Sequence, residues 1–471
     1  MMKTGKNIAK FVTSQRGGKL LEFDGYLLSI NRRMEKRQHW RCRVQNCGVT
    51  AVTDEDLVIK TPGLHNHAPD YKNIEIKKTL NNVKEEAIKQ PFKPIKRLFS
   101  DAFGDALANP DETTMDSLPS FNKYRCTLYR ARSKRLPNIP HSRSEIDLQG
   151  QWTQTKDGRP FLLANDGAED RILIFGTAQN LRYLCLATEI FMDGTFKSAP
   201  EMFTQVYSIH VKVMECMVPV VVALLPKRDT QTYRRMFQLL QQAAERFGHR
   251  LQPQTVCIDF EKAMIECVNQ LFPSSRIRGC LFHFTQAIWR KVQALGLTNK
   301  YTENQSFNRL VRRSSALPLI PLESVDEVWM EALNELTDED VIPFMDYVTT
   351  TWVDTSAAIF PKEMWNHFDN IDGFRTNNHL EAWHGVLNRE LGRPHPNIYK
   401  LIELLQTKQQ EVEHKLRLLQ SGGLNPPQKQ KYRDVTDRLV RLKTRLQNRE
   451  IAVYDYAGAV AGALKQGVIR G

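Results

Sequence analysis

A chain of 471 residues, 41% hydrophobic and 25% charged, is too long for a single hydrophobic core and too apolar for a disordered polymer. Its net charge is +13, and residues 1–140 hold 26 Lys and Arg against 15 Asp and Glu, so most of the excess sits at one end and favours a polyanionic partner there. Eight cysteines over this length exclude a disulfide scaffold, no apolar run reaches the ~18 residues of a membrane span, and MMKTGKNIAKF lacks a signal-peptide core. A reducing, intracellular setting is therefore expected, and the RARSKR run at Arg130 to Arg135 is a weak nuclear-import signal.

Residues 1–70 read as a small β-rich module. Short strand-like segments (LLEFDGYLLSINRR, HWRCRVQNCGVTAVT, DLVIKTPGLHNH) separated by Gly, Asn and Asp cannot alone make a stable core in ~60 residues, so a staple is needed. Cys42, Cys47, His65 and His67 offer one: two thiolates and two imidazoles suit tetrahedral Zn²⁺. The spacing, C-x4-C and then H-x-H after 17 residues, departs from the helical finger and places the histidines on a strand or extended turn. Leu21, Tyr26 and Trp40 are read as core. Arg32, Arg33, Lys36, Arg37, Arg41 and Arg43, clustered within a dozen residues, are candidate phosphate contacts.

From about 71 to 150 the composition turns to charged helix formers broken by Pro91, Pro94, Pro110 and Pro119. In the last helix, Arg130, Arg132, Lys134 and Arg135 extend the basic surface, either against a duplex backbone or as a solvated face. LPNIPHSRSEIDLQG reads as a linker.

Beyond it, strand and helix alternate. LRYLCLATEIFMDGTF, FTQVYSIHVKV and ECMVPVVVALLP predict three strands with tight connections, hence an antiparallel meander; a helix from Thr230 to about Phe247 follows. TVCIDF reads as a short buried strand, EKAMIECVNQLF as a helix, RIRGCLFHF as another strand and TQAIWRKVQAL as a helix, giving a mixed α/β sheet covered by helices. In such sheets the cleft lies at the carboxyl ends of strands. Asp193 and Asp259 fall at two such ends. Singly, Asp193 could open a turn and Asp259 could cap a helix.

Glu381 supplies a third acid near the start of a helix from about His379 to Leu391. Its spacing from Asn378 also fits a capping box, and His384 lies one turn later on the same face. Three converging carboxylates repel one another and are tolerated chiefly when divalent cations neutralise them, which is the design of a two-metal phosphoryl-transfer site. Between Asp259 and Glu381 lies a mostly helical insertion of more than a hundred residues.

MDGTFK, VCIDFEKA, GCLFHF with Cys280 and His283, and RTNNHLEAWH, in that order, resemble the Mutator-like element (MULE) transposase signature. The order of Phe11, Leu21, Tyr26, Trp40, the two cysteines and H-x-H resembles a FLYWCH-type zinc finger. The resemblance implies a ribonuclease-H-like catalytic domain over about 172–395, a helical insertion at about 296–370, and a DDE triad of Asp193, Asp259 and Glu381 holding Mg²⁺ or Mn²⁺. It further implies a nuclear enzyme that cleaves and joins double-stranded DNA at element terminal repeats. Cys280 and His283 are read as packing or positioning the site, with metal ligation the lesser alternative, and His384 either approaches the metal or a phosphate or is a packed core residue. A host-adopted derivative that only binds DNA is the alternative.

Residues 396–471 predict helices. Tyr432, Val435, Leu439, Leu442 and Leu446 form a short apolar seam that serves either a hairpin with LIELLQTKQQEVEHKLRLLQ or a homodimer.

Overall fold

The computed structural model describes residues 8–14, 17–104, 119–134, 136–336, 338–371, 373, 377–424 and 430–464. Two compact units divide the chain, Met1–Asn138 and Ile139–Gly471.

In the first unit, six strands form an antiparallel sheet in chain order: β1 (Lys10–Thr13), β2 (Lys19–Phe23), β3 (Tyr26–Arg33), β4 (Arg37–Cys42), β5 (Thr50–Asp54) and β6 (Leu57–Lys60). Asp24 and Gly25, with φ of 46° and 83°, make the two-residue turn that pairs Phe23 with Tyr26, the Asp-Gly solution for a right-twisted hairpin. Leu21, Leu28, Trp40 and Ala51 are fully buried, and the Trp40 indole N–H donates to Thr53 Oγ1 at 2.9 Å. The core is small, as expected for a module of this size.

The connector folds onto this sheet as helices Tyr71–Lys89, Ile95–Ala102 and Phe121–Ser133, which bury Leu80, Val83, Leu98, Phe99 and Leu128 among themselves. Asp70 caps the first by accepting the Asn73 N–H, and Lys78 pairs with Glu22 at 3.0 Å while Asn81 donates to the Thr13 carbonyl. Finger and helices are thus one unit.

The second unit is built on a mixed seven-stranded sheet. Its strands are β7 (Leu162–Asp166), β8 (Ile172–Phe175), β9 (Glu189–Thr195), β10 (Gln205–Val213), β11 (Cys216–Leu225), β12 (Thr255–Ile258) and β13 (Arg276–Gly279), in the order β13-β12-β9-β10-β11-β8-β7. The expected meander is β9-β10-β11; β12 runs parallel to β9 and β13 parallel to β12, each reached through a helix. Helix Thr230–Arg246 lays Tyr233, Met236, Phe237 and Leu240 on the sheet.

Two local expectations are corrected. LRYLCL is helical, within Ala178–Leu186, because Leu181 and Leu184 share a buried face and the Thr177 side chain caps the Asn180 N–H; only Glu189–Thr195 is strand. CLFHF belongs to helix Leu281–Ala294, with Cys280 at its cap, because Leu281, Phe284, Ile288 and Val292 form one buried stripe; the strand stops at Gly279. Strands β7 and β8, which extend the sheet beyond β11, carry no clean alternation that would announce them.

The insertion is helical and has its own core, in which Trp329, Trp352, Trp365, Phe284 and Phe344 are fully buried. Leu439 and Leu442 of helix Gln430–Gln447 join this core together with Tyr456, Ala457 and Val460 of helix Val453–Leu464. The seam therefore turns to the insertion and the last helix, whereas helix Ile398–Gln420 sends Leu416 to the sheet core. No described helix is long and apolar enough to cross a membrane.

Candidate functional site

In the finger, Cys42 ends β4, Cys47 follows a turn through Asn46 at φ 64°, and His65 and His67 lie on the irregular segment after β6. Their donor atoms all lie within 4.8 Å of one another. Cys42 Sγ is 3.2 Å from His67 Nε2, Cys47 Sγ is 3.4 Å from His65 Nδ1, and the two histidine nitrogens are 3.3 Å apart. Tetrahedral bonds of about 2.0–2.3 Å need donor separations on this scale. His67 Nδ1 faces the Ala68 carbonyl at 3.1 Å, which leaves Nε2 its lone pair, and Tyr26 stacks on His65 with centroids 3.7 Å apart. Tyr26 supports the cluster rather than a base.

Arg32, Arg33, Lys36, Arg37, Arg41 and Arg43 are all exposed. The first four gather at the β3–β4 turn, where Arg37 pairs with Asp54 at 3.4 Å, and Arg41 and Arg43 lie toward the cysteine end. On the connector, Arg130 and Lys134 are exposed, Arg132 spans the Tyr129 ring and the Lys93 carbonyl, and Arg135 lies outside the described residues. Lys77, which spacing did not single out, has its ammonium pushed below the usual range by burial and then by Arg43, with Lys123 adding a smaller repulsion. That basic grouping joins finger to helices and has no linear signature.

In the second unit, Asp193 sits near the end of β9, opposite Ser208 of β10. The parallel ladder ends at the Cys257–Phe191 pair, and Asp259 follows just past the end of β12, near enough to Asp193 to feel its charge. The fourth residue of helix Asn378–Leu391 is Glu381. Leu380 is buried against Phe191 and Cys257, and the Ser198 hydroxyl donates to Asn388 Oδ1 at 2.6 Å, so the helix lies across both strands. Capping differs from the expected box: Asn377 is the cap, and Asn378 is already helical.

Each acid is differently held. Gly194 N–H donates to Asp193 Oδ1 at 2.9 Å, and His384 Nδ1 stands 3.6 Å from Oδ2 while its Nε2 is hydrogen-bonded to Ser208 Oγ at 3.0 Å. Asp259 Oδ1 accepts the Glu261 N–H. Its pKa is raised by burial and by Asp193 and Glu261, with His283 opposing. Glu381 lies 3.6 Å from His283 Nε2, and burial together with Asp193 pushes its carboxyl up to about 7. Repulsion of this kind is what a divalent cation relieves. Even so, among the described residues the finger donors are the one set of three or more metal-type groups drawn within 4.8 Å of each other. The acids form a more open arrangement.

Cys280 touches the residue before the Glu381 helix, and His283 faces Glu381 itself. Cys280 Sγ accepts the Asn377 N–H at 3.0 Å, and burial pushes its thiol up to about 12, so it is a packed neutral group. Two groups that spacing did not reveal also line the cluster. Tyr233 O–H donates to Glu261 at 3.0 Å, and Arg228 pairs with Glu261 at 2.8 Å.

Fold and donors define a zinc-finger protein joined to a mixed-sheet domain with acids at adjacent strand ends. The MULE transposase domain model matches residues 189–287, and the FLYWCH zinc finger domain model matches residues 11–67. No curated protein matches the chain. The chain resembles a MULE transposase with an N-terminal FLYWCH finger, and the two matches mark a transposase-like, DNA-binding type of protein. Asp193, Asp259, Cys280 and His283 fall inside the MULE match; Glu381 and His384 lie beyond it.

Proposed function

We propose that the chain is a nuclear DDE transposase that cleaves DNA strands and joins them to a target, recognising element terminal repeats through the finger and connector. The observation that carries this reading is the approach of Asp193, near the end of β9, to Asp259, just past the end of the neighbouring parallel strand β12, where its charge helps raise the Asp259 pKa, with the Glu381 helix seated against both strands. The order β11-β10-β9-β12-β13, an antiparallel meander followed by two parallel strands, supports a ribonuclease-H-like core over about 172–395 interrupted by the helical insertion.

Asp193, Asp259 and Glu381 would hold Mg²⁺ or Mn²⁺, which when bound supplies charge for an attacking water or 3′-hydroxyl and for the departing oxygen. Asp193 is oriented by Gly194 and His384, Asp259 by the Glu261 N–H, and Glu381 would have to lose its proton to serve as a ligand. Cys42, Cys47, His65 and His67 hold structural Zn²⁺. Arg32, Arg33, Lys36, Arg37, Arg41, Arg43, Arg130, Arg132 and Lys134 contact phosphates.

The test incubates full-length protein with labelled element ends and Mg²⁺ or Mn²⁺. Wild type should cut at the element boundary, whereas Asp193→Asn and Glu381→Gln should bind the same DNA without cutting it. Equal cutting by the variants refutes the assignment. The open spacing of the acids, against the closed zinc cluster, favours one rival: a host-adopted chain that binds DNA and regulates transcription or chromatin without cleavage. Wild-type binding with no cutting under any divalent ion would select it.

A further inference from the structure

Asn377 is 1% exposed and immediately precedes the helix that carries Glu381. As cap of that helix its side chain would ordinarily turn back to the first free N–H groups. It does not cap. Instead Nδ2 donates to the Met192 carbonyl at 3.1 Å, across 185 positions of sequence. The β9–β12 ladder ends at the Phe191–Cys257 pair, one residue earlier, so the amide takes up a strand carbonyl where the ladder has run out.

The backbone of Asn377 makes the complementary contacts. Its N–H donates to Cys280 Sγ at 3.0 Å, and Cys280 N–H in turn donates to the Ile258 carbonyl at 2.9 Å. Its carbonyl accepts from Leu380 and Glu381 at 2.8 and 3.1 Å. One buried residue is therefore bonded to the neighbour of Asp193, through one cysteine to the neighbour of Asp259, and directly to the amide of Glu381. Helix capping and core filling alone would need no such set. A capping asparagine would bond its own helix, and a filler would be apolar.

We propose that Asn377 is a positioning residue that sets the distance of Glu381 from Asp193 and Asp259, and so the readiness of the three acids to share divalent cations. The inference rests on the proposed catalytic reading. Loss of the side-chain bond frees the first turn of the helix to move relative to β9, and a displacement of about 1 Å at a reacting centre costs on the order of a hundredfold in rate.

The test measures, in full-length protein, the Mn²⁺ concentration for half-maximal cleavage, the single-turnover rate at saturating Mn²⁺, DNA affinity and the thermal midpoint. Asn377→Ala should raise the Mn²⁺ requirement by about tenfold and lower the rate by tenfold to a hundredfold while DNA affinity stays within about twofold. Because Asn377→Ala could simply fail to fold, the same seat is probed from its other side. Cys280→Ser keeps an acceptor for the Asn377 N–H and Cys280→Val removes it, so the Val variant should show the larger rise in Mn²⁺ requirement. A folded Asn377→Ala with the wild-type Mn²⁺ requirement, or equal Mn²⁺ curves for Cys280→Ser and Cys280→Val, overturns the proposal and leaves the catalytic reading intact. A wild type that never cuts removes the catalytic reading and this inference with it.

Discussion

His384 and Asp193 face each other at 3.6 Å, and the far nitrogen of the same imidazole is hydrogen-bonded to Ser208 on the strand beside Asp193. All three side chains are buried. The arrangement fixes which ring nitrogen turns to the carboxylate: with Nδ1–H toward Asp193, Nε2 accepts the serine hydroxyl. His384→Ala should lower cleavage by about 10- to 100-fold, the usual cost of losing an outer partner of a metal-site ligand. Ser208→Ala should fall in the same direction by less. Rates equal to wild type in His384→Ala would remove the histidine from the site.

Chelation should act on one unit only. Without its ion the finger retains a core of a few residues, Leu21, Leu28, Trp40 and Ala51 among them. Modules of this size depend on metal-binding free energy for folding. Hydrogen exchange of the full chain after Zn²⁺ removal should show protection lost across β1–β6 and kept across β7–β13. Cys47→Ser should reproduce the loss without chelator.

The carboxyl of Glu381 titrates at about 7 against an ordinary 4.5. In metal-free protein the folded state therefore holds a proton there that the unfolded chain releases, so this group's contribution to stability is full below 4.5 and is lost as pH rises through about 7. Thermal midpoints of wild type should decline relative to Glu381→Gln across that window. Mn²⁺ affinity should rise over the same range, because binding displaces the proton. A flat difference between the two proteins would contradict the assigned burial.

Leu380 is fully buried against Phe191 and Cys257 and is the apolar contact that seats the helix on the strands. Leu380→Ala should cost about 2–5 kcal/mol of stability, the range for emptying a buried leucine site. Urea unfolding measures it. The variant should also cut DNA more slowly than its stability loss alone explains.

Gly194 has no room for a methyl group: an added Cβ would lie 2.4 Å from Gln205 Oε1 and 3.2 Å from Tyr207 Cδ2. Gln205 is itself hydrogen-bonded to Tyr233, so the amide has little freedom to retreat. Gly194→Ala should weaken cleavage with DNA affinity unchanged, and crystallography or NMR of the variant should show the Asp193 turn displaced.

Much of the candidate site is legible in the sequence, because its parts carry local signals. Asp193 and Asp259 end short apolar runs, Cys42, Cys47, His65 and His67 have ligand spacing, and the meander announces itself through tight turns. What stayed hidden depends on partners remote in the chain. LRYLCL is apolar enough for a strand and becomes a helix because one face alone meets the core. The leucines of Gln430–Gln447 suit any apolar neighbour, and only the position of the insertion decides which one they receive. Spacing points to Asn378 as the cap and leaves Asn377 unmarked, because the partner of its amide is a strand carbonyl 185 residues away.

Adjacent strands keep a separation of about 4.8 Å, set by their hydrogen bonds, so β9 and β12, which lead into the first two acids, hold their spacing up to the Phe191–Cys257 pair. Glu381 has no such constraint; it rides on a helix delivered by a long excursion of the chain. Loss of function during genomic domestication could therefore spare all three carboxylates and strike only the seat of that helix. A survey of relatives that scored the trio alone would count such silenced copies as active.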